Sequence, residues 1–126
     1  MSNLSAPRNT PQLAGGYSRE LTAGATIYAG AIVSIKAADG LVYPAGTSGH
    51  IVLGRAANTV ASGETVRVDR GIFLVDNDTS TGAIGMANIG GGCWVGNDHM
   101  ATITSGTVLM GTVWDVNSDG VYVEIK

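Results

Sequence analysis

Residues 62–75 read SGETVRVDRGIFLV, and this stretch decides the fold. Ser62-Gly63 is a turn pair. From Thr65 to Asp69 the side chains alternate, with Val66 and Val68 on one side and Thr65, Arg67 and Asp69 on the other. Arg70-Gly71 breaks the alternation and is expected to form a bulge, after which residues 72–75 continue as a run apolar on both faces. A period of two bounded by turn residues is the signature of a strand.

The same punctuation repeats in both directions. Residues 31–36 (AIVSIK) end at Asp39-Gly40, a two-residue hairpin signal, and residues 41–44 (LVYP) return as the partner, with Pro44 marking an edge or an end. Residues 51–57 form the next strand. Residues 76–92 form a loop rich in Asp, Asn, Thr and Gly, with one helical turn expected within 84–89. Short strands at 93–95 and 100–103 precede a last hairpin, 108–116 and 121–125, joined by Asn117-Ser118-Asp119-Gly120. About eight or nine short strands at near-regular spacing predict an all-β chain, a small β-barrel or jelly-roll-like sandwich. The composition agrees: of 126 residues 19 are Gly and only 13% are charged, and Lys, Glu and Leu are too few to favour helices.

Residues 1–20 stand apart. They hold Pro7, Pro11, Gly15 and Gly16 and show neither a strand nor a helix period, so they read as an extended N-terminal arm before a single β-domain at 21–126. Leu4, Leu13 and Tyr17 are spaced apolar anchors on that arm, and Arg8 and Arg19 can reach carboxylates on a neighbour. The arm is expected to order against another subunit.

Several classes of function are disfavoured. The net charge is -3, and the seven basic residues form no stripe that could displace phosphate counterions, so no nucleic-acid partner is expected. No apolar run approaches a membrane span and the start has no apolar leader segment, so no membrane partner is expected. The single Cys93 fits assembly in a reducing cytoplasm. Asp115-x-Asn117-x-Asp119-Gly120 opens like a calcium loop, but its twelfth position is Lys126 and its flanks read as strands, which leaves a hairpin turn. Cys93, His50 and His99 lie in unrelated segments and meet neither the spacing of a zinc site nor that of an activated nucleophile. The glycines at 85 and 90–92 lack the Lys and following helix of a phosphate loop. No enzyme activity, cofactor or metal is expected.

What remains is apolar surface. Within residues 108–116 the spacing puts Val108, Met110, Trp114 and Val116 on one side and Leu109 and Val113 on the other. Residues 72–75, with Phe73, are apolar on both faces too. Strands of this kind are buried on both faces, either inside a small barrel or with one face under another subunit. Phe73 and Trp114 join Leu4, Arg8, Leu13, Tyr17 and Arg19 as candidate partner contacts.

The stretches 29–35 (AGAIVSI), 54–57 (GRAA), 62–68 (SGETVRV), 71–75 (GIFLV), 111–116 (GTVWDV) and 120–125 (GVYVEI) resemble, in order and spacing, the capsid decoration or cement proteins of tailed bacteriophages. The resemblance covers most of 21–126. It implies a small β-barrel on the capsid exterior, assembled in the host cytoplasm, that forms a homodimer or homotrimer on a symmetry axis and clamps neighbouring major capsid protein subunits. It carries no catalytic residue with it. The competing reading is a β-sandwich that recognises host-surface glycans; such sites use exposed aromatics, and only Trp94, Trp114 and four Tyr are available.

Overall fold

The alternation in residues 65–69 resolves as expected. Val66 and Val68 are buried while Thr65 and Arg67 face solvent. The structure, a computed structural model, describes residues 18–46, 50–104 and 108–126 together with Ala6. Among these the chain is all-β with ten strands: β1 (Ser18–Thr22), β2 (Ile32–Lys36), β3 (Val42–Pro44), β4 (His50–Ala56), β5 (Thr65–Asp69), β6 (Gly71–Asn77), β7 (Gly92–Asn97), β8 (Met100–Thr102), β9 (Leu109–Asn117) and β10 (Gly120–Ile125). The expected helical turn is a single 3₁₀ turn, Met86–Asn88.

The ten strands divide at Arg70. β1 to β5 form an antiparallel sheet in the order β1-β5-β4-β2-β3, and β6 to β10 close into a barrel in the order β10-β6-β8-β7-β9. The barrel pairings are antiparallel except β6 with β8. Two buried clusters follow from this division. Val75, Cys93, Val95, Met110, Val113 and Val123 fill the barrel, and Ile32, Ala45 and Val52 of the sheet join them. Ile27, Val33, Val42, Val60, Val66 and Val68 form the second cluster. Consecutive residues Ile32 and Val33 therefore serve different cores, as the pleat requires. The Ile32 amide also donates to the Asp98 carbonyl at 2.7 Å, which ties the sheet to the turn between β7 and β8.

At Arg70-Gly71 the chain changes partners, from β1 and β4 to β10 and β8, and Gly71 takes φ +153. The buried positions change there too, from Val66 and Val68 in the sheet to Val75 in the barrel. Two expectations change. The hairpin at Asp39-Gly40 is present, but its loop is longer than two residues. The Lys36 amide donates to the Leu41 carbonyl and the Gly40 amide to the Lys36 carbonyl, with Gly40 at φ +70. Finally, Ser18–Thr22 is a strand whose first three residues lie within the stretch read as the arm. Its pattern is nearly all exposed, so it carries no alternating apolar signal.

Candidate interaction surface

β9 has two register shifts, and each changes which side chains point inward. Val108 and Met110 are buried in the barrel cluster at even positions, Val113 at an odd one, and Val116 packs against the cluster at an even one. The pairing with β7 shifts by one residue at Met110, between Leu109 and Gly111, and the pairing with β10 shifts at Trp114, between Val113 and Asp115. An extra residue in one strand reverses the faces beyond it, so one strand can look apolar on both sides in sequence. Trp114, the extra residue opposite β10, is 58% exposed, and Leu109 is 55% exposed.

β6 and β10 supply a neighbouring part of the outside. Ile72 lies across from Glu124 and Leu74 across from Tyr122. Ile72 is 42% and Leu74 48% exposed, while Val75, Val121 and Val123 are buried. Phe73 is half-buried against the barrel core, and the Arg55 guanidinium sits 4.7 Å from its ring centroid. Arg55 and Arg67 both pair with Asp69, at 3.3 and 3.0 Å. These contacts link Arg67, Asp69, Arg55 and Phe73 across the passage from β5 to β6.

Of the expected contact residues, Trp114 is displayed outward, Phe73 spends its ring on Arg55 and the core, and Arg19 is exposed on the edge strand β1 opposite Val68. Leu4, Arg8, Leu13 and Tyr17 lie outside the described residues. Ile72, Leu74 and Leu109 are exposed too, and the two-faced runs that hold them are the sequence signal for it. Ile51 is exposed as well and borders, with His50, Leu109, Glu124 and Lys126, an open groove of about 520 Å³ between sheet and barrel. Charge is unevenly spread: beyond Arg70 the only Lys or Arg is Lys126, against Asp76, Asp78, Asp98, Asp115, Asp119 and Glu124.

Chemistry-bearing groups elsewhere are held by local structure. The Cys93 thiol is fully buried and donates to the Gly111 carbonyl at 3.6 Å; burial pushes its pKa up to about 11, against thiolate formation. Asn117 Oδ1 accepts from the Asp119 amide at 2.8 Å and Gly120 takes φ +140, so the calcium-like stretch is the β9–β10 turn. Asp78 accepts from Ser80 Oγ, the Ser80 amide and Thr102 Oγ1, which lowers its pKa. His99 Nδ1 is 2.8 Å from Asp98 Oδ1. Among the described residues no three of His, Cys, Asp and Glu come together as a metal site.

Searches against models of protein families, against curated proteins and against solved structures found no match for this chain.

Proposed function

We propose that this chain is a structural virion protein that decorates the outside of a tailed-phage capsid, self-associates and cements neighbouring major capsid protein subunits. The observation that carries the reading is the display of Ile72, Leu74, Leu109 and Trp114 on the barrel exterior of a chain with only 13% charged residues. Several large apolar side chains displayed on the outside of a sparsely charged chain favour a protein partner. The resemblance over 21–126 supplies the kind of partner, and weak contacts repeated around a symmetric shell would add up through avidity. In this reading the protein does no catalysis. The test is sedimentation of the purified chain with undecorated capsids of the virus that encodes it. Pelleting at a saturating, fixed stoichiometry supports the reading. Protein that stays in the supernatant, or that binds a glycan array saturably instead, refutes it.

A further inference from the structure

The outer face of three adjacent barrel strands carries an ordered patch. β10 lies between β6 and β9. Tyr122 is opposite Leu74 on one side and Asp115 on the other, and Glu124 is opposite Ile72 and Thr112. Directly opposed residues share a face. Val75, Val113, Val121 and Val123 are buried, so the face shared by these other residues is the outer one. Trp114, the extra residue of the bulge, is exposed beside Asp115. Leu74, Tyr122 and Trp114 therefore form a row across three strands, about 10 Å long at ordinary strand spacing. Ile72 widens the row on β6.

The charge on this face is mostly negative. Asp115 adjoins Trp114, Glu124 lies between Ile72 and Thr112, and Asp76 takes the next outward position of β6 after Leu74. Lys126 reaches Glu124 at 3.7 Å and is the single Lys or Arg from residue 71 onward. Asp115 Oδ1 accepts from the Val116 amide at 2.8 Å, which holds its carboxylate next to the indole. A purely apolar partner would bury these carboxylates uncompensated, and that desolvation opposes the gain from covering Ile72, Leu74 and Trp114. A partner that brings cations removes the conflict. Guanidinium suits the site best, because it is weakly hydrated, stacks on an indole and fork-pairs with a carboxylate.

We propose that the outer face of β6, β10 and β9 docks a protein segment that carries arginine beside apolar residues. A guanidinium lies over Trp114 against Asp115, and an apolar side chain meets Leu74 and Tyr122. This rests on the reading of the barrel exterior as a protein-docking surface and adds the charge and residue type of what docks there.

Amide chemical shifts of the full-length protein test it, with the capped peptides LRLRL, LKLKL and LQLQL as probes. LRLRL should shift Leu74, Trp114 and Tyr122 saturably and bind about threefold tighter than LKLKL and about tenfold tighter than LQLQL. Trp114→Leu stays apolar but loses the ring, and should bring LRLRL down to the level of LKLKL. Asp115→Asn keeps the acceptor for the Val116 amide and should weaken LRLRL about threefold or more. Equal binding of LRLRL and LQLQL, no binding of either, or shifts centred on the turns at Asp98 and Asp119 overturns the proposal. Amides on this face that answer to protein concentration but to no peptide assign it to a second copy alone. Shifts there from cellotetraose but from no peptide assign it to a glycan, and either result overturns the proposal. Pelleting with capsids is read separately: peptide failure beside intact pelleting removes the arginine partner and leaves the docking surface.

Discussion

Asp69 accepts from two guanidinium groups at the passage from sheet to barrel, and one of them, Arg55, also covers the Phe73 ring. Its side chain is mostly buried, so removing its charge leaves Arg55 poorly compensated beside the barrel. Asp69→Asn should cost about 1–3 kcal/mol, read as a lower denaturant midpoint at unchanged slope. Asp78 behaves as a local staple. Its hydrogen bonds from Ser80 and Thr102 hold its pKa below the usual 3.8. A depressed carboxyl pKa stabilises the fold above the unfolded value and loses that contribution as pH falls through the folded one. The 78–82 loop should therefore keep its amide protection at pH 5 and loosen only below about pH 4; Asp78→Asn should remove that acid transition. Cys93, with its pKa near 11, should resist thiol reagents at pH 8 and react at once on unfolding.

β9 decides how much of the outside is apolar. Because Trp114 and Leu109 sit outside the barrel core, Trp114→Ser with Leu109→Ser should change monomer stability by less than about 0.5 kcal/mol. The same pair should weaken self-association in sedimentation and retention on capsids. Stability loss without loss of association would mean that these side chains pack within the domain. At this scale the sequence was partly legible. Val66 and Val68 announced their strand because one face is buried and the other is wet. The reversals within β9 were not legible, since a register shift depends on the partner strands β7 and β10, which lie elsewhere in the chain. The two-faced run of 108–116 suggests burial on both faces, but it arises from bulges at Met110 and Trp114, with Val113 inward and Trp114 out. β1 gave no signal because SRELT is almost wholly exposed. The break at Arg70-Gly71 was visible, but its cause, a change of covering layer, is tertiary.

The sheet and the barrel have separate cores joined through Ile32, Ala45 and Val52. Ile32 is fully buried at that junction, so Ile32→Ala should cost about 2–5 kcal/mol and split one unfolding transition into two, measured by calorimetry. A single transition with a modest shift would show that the two layers are coupled by other contacts as well. The exposed apolar side chains were legible in part, because two-faced runs hint at them, but what covers them is not written in those runs. The central claim is that this molecule cements a capsid, and the most direct measurement is a heat challenge of DNA-filled capsids with and without it. Capsids saturated with the protein should keep their DNA to a higher temperature, and the Trp114→Ser, Leu109→Ser chain should confer little of that protection. Capsids that bind the protein yet release DNA at an unchanged temperature would contradict the account.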